Sequence, residues 1–179
     1  MFLNLRNLRI KTILLIGKLM PTEMIAKELA EAGRVWNQGG IPVILRRTGR
    51  GQRLRLRLPY SAANRTWLSQ LGKTSPDWNS AGKFWEFPKS WFNKFVDEAL
   101  RKFGKLYVIQ PFVEHEICAP ACRNAVGHEC QCSCMGANHG TADGAGWFDI
   151  TEAFAIRIKE SRLACRLMRT KSSFGPGGP

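Results

Sequence analysis

The spacing of hydrophobic and polar residues changes period along the chain, and these changes predict the secondary structure. Residues 21–36 carry apolar side chains at helical spacing and predict a helix. Residues 41–47 and 52–60 predict two strands, which the glycine-containing segment 48–51 joins as a hairpin. Leucines alternate with arginines in the second strand, so one of its faces should be buried and the other solvated.

Further elements follow the hairpin. We expect a helix over 61–72, a short strand over 83–87, a helix over 88–104 and a strand over 105–112. Residues 147–159 gain strand character towards their end, and a basic stretch follows them. The helix of 88–104 has the clearest amphipathic pattern, and its predicted core face consists of Trp91, Phe92, Phe95, Val96, Ala99, Leu100 and Phe103.

This order of elements predicts an α+β fold, with a small mixed sheet, two or three packed helices and a metal-stapled Cys-rich loop. The body is expected over 21–112, completed by a C-terminal strand or helix over 146–170. A basic extension over 1–20 precedes it, a Cys/His loop over 113–145 interrupts it, and a disordered tail over 171–179 follows it. Since no run reaches the roughly 18 apolar residues that span a bilayer, no membrane partner is expected.

The chain is strongly basic, with 27 Lys and Arg against 14 Asp and Glu and a formal net charge of +13. Such an excess favours polyanions, and nucleic acid most often, because cations neutralise phosphates. The hairpin is the densest region, since residues 43–58 hold six arginines and no acid. We predict nucleic-acid contacts from these arginines, from one lysine and from two tryptophans able to stack on bases: Arg46, Arg47, Arg50, Arg53, Arg55, Arg57, Lys83, Trp78 and Trp85.

Five of the six cysteines fall within residues 118–140, together with two histidines. Clustered thiols of an intracellular protein bind metal more often than they form disulfides. A structural Zn²⁺ needs four nitrogen or sulfur donors in a tetrahedron, and two ligand pairs joined by a loop can supply them. The candidate metal ligands are Cys118, Cys122, Cys130, Cys132, Cys134 and His139.

The alternation of Cys130, Cys132 and Cys134 constrains this site. In a straight strand the three thiols would share one face with the outer two about 13 Å apart, which is too far for one metal ion. The chain must turn, leave one cysteine unused, or hold an iron–sulfur cluster or two metals. Zn²⁺ is our prediction, and an iron–sulfur cluster, disulfides and a catalytic thiol remain alternatives. The isolated Cys165 is expected to be a buried hydrophobic residue.

Residues 41–104 contain the segments "LRLPY", "NRTWLSQLG" and "DWNSAGKFWEFPKSWF" in this order. The block resembles the HARP-type module found beside annealing helicases, and it covers about a third of the chain. The resemblance implies a small α+β module that binds branched or single-stranded DNA. The chain departs from that pattern in lacking a helicase motor and in its cysteine segment. The segment "ECQCSCMGANHG" also resembles an uncharacterised phage or mobile-element family.

These features predict a non-catalytic protein that binds DNA or RNA through the phosphate backbone with little sequence specificity. We expect it inside the cell, in the cytoplasm, the nucleoid or the nucleus. One alternative is an inhibitor or adaptor that binds a protein partner with an acidic face. The other is an iron–sulfur or metal-dependent enzyme of nucleic acids, although neither a phosphate-binding loop nor the spacing of a zinc deaminase is present.

Overall fold

The computed structural model describes residues 30–113, 116, 119–134, 148–158 and 161–171 of the 179-residue chain. Within these ranges the protein is a seven-stranded mixed sheet with several helices, so the predicted α+β class is confirmed. The sheet is larger than the small one expected from the sequence. The predicted extension over 1–20 and the tail from residue 172 onward lie outside the described residues.

The described elements alternate along the chain. The strands are β1 (Val43–Leu45), β2 (Leu54–Arg57), β3 (Asp77–Asn79), β4 (Phe84–Phe87), β5 (Lys105–Pro111), β6 (Phe148–Ile158) and β7 (Ser161–Thr170). The helices are α1 (30–37), α2 (Asn64–Gln70), α3 (Phe92–Phe103) and α4 (Pro120–Arg123), and a 3₁₀ turn (Lys89–Trp91) leads into α3.

The strands lie in the order β3-β4-β2-β1-β5-β7-β6. Strand β1 pairs with β2 as an antiparallel hairpin, as the sequence predicted, and pairs with β5 in parallel. Every other neighbouring pair in this sheet is antiparallel. The hairpin strands therefore lie in the middle of the sheet rather than at a free edge.

The hydrophobic core lies on both faces of the sheet. On one face, Leu54 and Leu56 of β2 pack with Phe95 of α3 and Leu68 of α2. Both leucines are fully buried, which confirms the predicted alternation in this strand. The hydrophobic cluster on the opposite face is smaller, and α1 packs against it. Its buried residues are Ala32, Val35, Val43, Ile109, Leu163 and Cys165.

Helix α3 forms as its amphipathic pattern predicted. Five of the seven predicted core residues are fully buried, while Trp91 and Phe103 are half-buried against the same core. The helix ends at Gly104, whose φ of 70° is the left-handed conformation that glycine adopts without a steric penalty. Its last carbonyls are thereby capped just before β5 begins.

Strand β7 lies within residues 146–170, where a C-terminal strand or helix was expected to complete the body, although the burial of this strand was not predicted. Residues 163–168 of β7 are all buried, because the strand lies between β5 and β6 and both of its faces are covered. A strand that is buried on both faces does not show the alternation of apolar and polar residues that is typical of a strand with one exposed face. Among the described residues, no helix is both long and apolar enough to cross a membrane.

Candidate metal centre and aromatic groove

A loop between β5 and β6 carries the cysteines, and main-chain contacts fix it beside the sheet. The Val113 N–H donates to the Gln131 carbonyl at 2.6 Å, and the Ser133 N–H donates to the Glu116 carbonyl at 3.0 Å. The buried Gln110 side chain donates to the carbonyl of Cys130. The loop is therefore attached to the end of β5, on the face that α3 covers.

Four cysteines of this loop converge on one point. Cys122 lies in the short helix α4, and the other three follow in a segment that bends and turns over residues 132–134. The four Sγ atoms all lie within 4.8 Å of one another, so Cys122, Cys130, Cys132 and Cys134 could hold a metal ion. We call these four residues the cysteine centre.

The spacing of the sulfur atoms matches a single tetrahedral site. Sγ of Cys132 lies 3.6 Å from Cys122, 3.5 Å from Cys130 and 3.1 Å from Cys134. Sγ of Cys134 lies 3.9 Å from Cys122 and 3.6 Å from Cys130. Four thiolates around one metal at about 2.3 Å form a tetrahedron with edges of about 3.8 Å. The turn, one of the alternatives that the spacing of the alternating cysteines left open, is present, and all three of them reach the same point.

The centre combines a buried and a half-exposed side. Cys130 and Cys132 are buried, while Cys122 and Cys134 are half-buried. Burial raises the pKa of the Cys130 thiol to about 12, and hydrogen bonds with Cys132 and Cys134 add to this shift. No disulfide joins any two of the described cysteines.

Four of the six predicted ligands form the cysteine centre. Cys118 and His139 lie outside the described residues. His128 is in the loop, but its Nε2 lies 2.8 Å from Oδ1 of Asp97 on α3 and it is not part of the cluster of four thiols. Cys165 is fully buried on the opposite face of the sheet, as the hydrophobic residue that the sequence predicted.

The sequence analysis missed a buried cation beside the cysteine centre. Arg166 of β7 is 1% exposed, and its Nη2 donates to the carbonyl of His128. Burial lowers the pKa of its guanidinium, whereas the neighbouring Cys130 and Cys134 oppose that shift. A single charge inside the apolar run "LACRLM" is the sequence signal that could have identified it.

The hairpin arginines find counter-charges elsewhere in the fold. Arg55 Nε lies 2.9 Å from Oε1 of Glu86 on the adjacent β4, and Arg47 approaches the same carboxylate at 4.0 Å. Arg53 pairs with Asp77 of β3. Arg46 lies 2.5 Å from Glu129 of the cysteine loop. The absence of acids within the hairpin sequence therefore does not leave it uncompensated in the folded protein.

The two remaining predicted arginines differ from each other. Arg57 donates to the Gly82 carbonyl at 2.7 Å and lies over the ring of Trp36, 5.1 Å from its centroid. Burial lowers the pKa of its guanidinium. Arg50 is exposed at the tip of the hairpin. Five of the six hairpin arginines are thus partly buried and contact groups of the protein itself.

A second feature gathers the other predicted nucleic-acid contacts. Trp78 and Trp85 face each other across β3 and β4, with ring centroids 4.9 Å apart. Together with Lys83 they line a groove of about 550 Å³. Its remaining lining comes from the segment that leads into α2 and from the β3–β4 turn: Leu58, Tyr60, Ser61, Ala62, Asn64, Arg65 and Ser80. We call this the aromatic groove.

The aromatic groove presents rings and cations to solvent. Tyr60 is 98% exposed and Trp78 is 45% exposed, although both are large and hydrophobic. Arg65 lies over the ring of Trp85 at 5.1 Å from its centroid. Arg65 and Lys83 are both exposed, and none of the described residues that line the groove is acidic. The sequence pattern indicated the tryptophans and Lys83 but not the contribution of residues 58–65.

Comparison of the chain with protein-family models, with curated proteins and with solved structures finds no match. The resemblance of residues 41–104 to a HARP-type module therefore stays a prediction. The cysteine centre and the aromatic groove are the two features of the described residues that indicate a function.

Proposed function

We propose that the protein is a non-catalytic nucleic-acid-binding protein that takes single-stranded DNA or RNA into the aromatic groove, and that its cysteine centre holds a structural Zn²⁺. The observation that carries the proposal is the grouping of two exposed aromatic rings and two exposed cations in one groove, where the described lining holds no acid and the third ring, Trp85, is buried beneath Arg65. Proteins that bind single strands use this combination, because bases stack on rings and cations neutralise phosphates.

A buried polar group in the groove supports a ligand with hydrogen-bond donors. Asn64 is 7% exposed, and its Nδ2 donates to the Pro59 carbonyl at 2.8 Å, which fixes the orientation of the amide. Its Oδ1 is buried and has no hydrogen-bond partner among the described residues. Buried acceptors are nearly always satisfied. The amino group of a base would supply the donor that this oxygen lacks.

The backbone conformation of Lys83 also supports the groove as a ligand-binding site. Lys83 has a φ of 53°, the only positive value among the described non-glycine residues. A non-glycine residue in this conformation costs stability, and such outliers concentrate at ligand sites. A lysine at this position of the β3–β4 turn carries its charge to the rim of the groove.

The nucleic-acid contact that we propose lies in the aromatic groove and not on the hairpin. Phosphates could bind Arg46, Arg53 and Arg55 only by competing with the carboxylates of Glu129, Asp77 and Glu86. Stacking platforms also favour single strands, since the bases of a duplex are already stacked. Recognition through ring faces and phosphates carries little sequence specificity.

Zn²⁺ is the metal that best suits the cysteine centre. Four thiolates in a closed tetrahedral set are typical of structural zinc sites. The observed separations of 3.1–3.9 Å suit one ion, whereas an iron–sulfur cluster would insert several iron and sulfide atoms between the same thiolates. Cysteines that bind metal instead of forming disulfides are typical of a reducing intracellular compartment. Metal analysis of the purified protein should find one equivalent of zinc and no visible absorbance, and a brown protein would contradict this assignment.

The proposed function is tested by fluorescence anisotropy with labelled oligothymidylate, oligouridylate and a duplex of matched length, titrated over a range of salt concentrations. We expect binding to both single strands, weaker binding to the duplex, and affinity that falls as salt rises. The absence of binding at low salt, or a salt slope of zero, would overturn the proposal. Preference for an acidic protein partner over every oligonucleotide would favour the adaptor alternative instead.

A further inference from the structure

Arg166 is a buried cation that has no carboxylate partner among the described residues. Its side chain is 1% exposed, in the middle of β7 and between the pairing partners Val108 and Ala153. None of the ion pairs among the described residues involves it. Arginine stays protonated in proteins, so the charge itself is buried. A buried charge is strongly unfavourable unless an opposite charge and hydrogen bonds compensate it.

The hydrogen bonds of Arg166 are also incomplete. Nη2 donates to the His128 carbonyl, but Nε and Nη1 are buried and have no hydrogen-bond partner among the described residues. The groups whose charge acts on the guanidinium are Cys130, Cys134 and Cys122, all members of the cysteine centre. Within the described part of the chain, the anions available to this cation are therefore thiolates of the centre.

We propose that Arg166 is the built-in counter-cation of the cysteine centre, donating N–H···S hydrogen bonds to metal-bound thiolates and so raising the affinity of the centre for a divalent metal. The inference depends on the proposed metal binding but not on nucleic-acid binding. When four thiols bind one divalent ion, four protons leave and the complex carries a net charge of −2. Arg166 reduces the local charge to −1, and the thiolates supply the acceptors that Nε and Nη1 lack.

The proposal also predicts how the centre discriminates between oxidation states. A cation stabilises the more negative of two complexes, so Arg166 should favour a divalent over a trivalent ion in the same four thiolates. With iron as the probe, uptake of one electron from an electrode takes the complex from −1 to −2. Loss of the Arg166 charge should therefore lower the reduction potential of the iron-loaded protein.

The test uses the full chain and compares Arg166→Met, Arg166→Lys and the control Arg169→Gln. The control removes one positive charge from an exposed position of the same strand. Zn²⁺ affinity is measured by competition with a chromophoric chelator. We expect Arg166→Met to weaken binding about 10–100-fold, as loss of a hydrogen bond to a metal ligand typically does. Arg166→Lys should recover part of the loss, and the control should match the wild type.

Two spectroscopic measurements separate this role from a merely structural one. The Co²⁺-loaded Arg166→Met protein should keep the thiolate-to-cobalt charge-transfer band of the wild type, while its iron-loaded form shows a lower potential. If Arg166→Met does not fold, Arg166→Gln carries the same expectations, since it loses the charge and keeps an N–H donor. Neutral variants with wild-type affinity and potential would overturn the role of Arg166. A wild type that binds no metal would overturn the metal centre and this role together, and oligonucleotide binding would be judged separately.

Discussion

The backbone N–H of His128 donates a 2.8 Å hydrogen bond to Oδ1 of Asn93 on helix α3. The same asparagine lies against Gly127, where a Cβ atom would be 2.9 Å from Nδ2 of Asn93. Together with the 2.8 Å contact between His128 and Asp97, these interactions hold the cysteine loop against one face of α3. The cysteine centre therefore depends on a close approach of main chain to helix as well as on its own ligands.

Gly127→Ala should loosen this attachment. Gly127 has a φ of 105°, which an L-residue adopts only with strain, and the added methyl would meet the Asn93 amide. We expect a loss of about 1–3 kcal/mol in the free energy of unfolding, measured by chemical denaturation. Gly33→Ala is the matched control, because a Cβ there meets no atom within 4 Å and alanine favours a helix by up to about 1 kcal/mol. Equal stability of the two variants would show that the loop is not held as described.

Much of the fold could be predicted from local patterns. The alternation of Leu54 and Leu56 with arginines predicted the buried face of β2, and the amphipathic pattern that ends at Gly104 predicted α3. The turn at the cysteines could also be predicted, since a straight strand cannot bring Cys130 and Cys134 together. These features depend on neighbouring residues, whose geometry is fixed by the chain itself.

What could not be predicted depends on contacts between distant residues. Arg46 and Glu129 are 83 positions apart, so no window of sequence reveals that the arginine has a partner. Strand β7 has no alternation because both its faces are buried, and its Arg166 consequently looked like one more surface charge. The aromatic groove likewise joins Tyr60 and Asn64 to a turn some twenty residues further on. Such sites become visible only when the topology is known.

The Arg55–Glu86 pair gives a prediction about the hairpin. The 2.9 Å contact is partly buried, so Arg55→Ala should lower the free energy of unfolding by about 1 kcal/mol. A double-mutant cycle with Glu86→Ala measures the coupling between the two side chains. We expect little change in the affinity for oligothymidylate. A marked loss of affinity, together with a shallower salt slope, would instead indicate that the hairpin contacts nucleic acid.

Trp78→Ala tests the stacking platform. Removing one base–aromatic stack costs about 1–3 kcal/mol, so we expect the dissociation constant for oligothymidylate to rise about 5–150-fold. The ring is 45% exposed, and truncating it should therefore affect stability much less than binding. Val126→Ala is the control, because Val126 is fully exposed in the cysteine loop and does not line the groove. Unchanged affinity in Trp78→Ala would exclude this ring as a contact.

Lys83→Gln tests the phosphate contact of the same groove. For single strands each neutralised phosphate contributes about −0.7 to the slope of log K against log salt. We expect Lys83→Gln to make the slope shallower by about this amount and to weaken binding at low salt. Lys105→Gln removes the same charge from an exposed position on β5, three strands away from β4, and should leave the slope unchanged. Equal effects from both lysines would indicate non-specific attraction to a basic protein.

Cys165→Ala tests the assignment of Cys165 as a core residue and not a ligand. Burial raises the pKa of this thiol from an ordinary value of 9.0 to about 12. The folded state therefore favours the neutral thiol, and the stability this provides is present below pH 9.0 and lost as the pH rises towards 12. Between pH 8 and pH 10 the wild type should lose about 1.4 kcal/mol more unfolding free energy than Cys165→Ala.

Chemical denaturation under reducing conditions measures the unfolding free energy of both proteins. The metal content of Cys165→Ala should equal that of the wild type, because Cys165 lies on the face opposite the cysteine loop. A variant that loses its metal, or that keeps the wild-type pH dependence, would contradict the assignment.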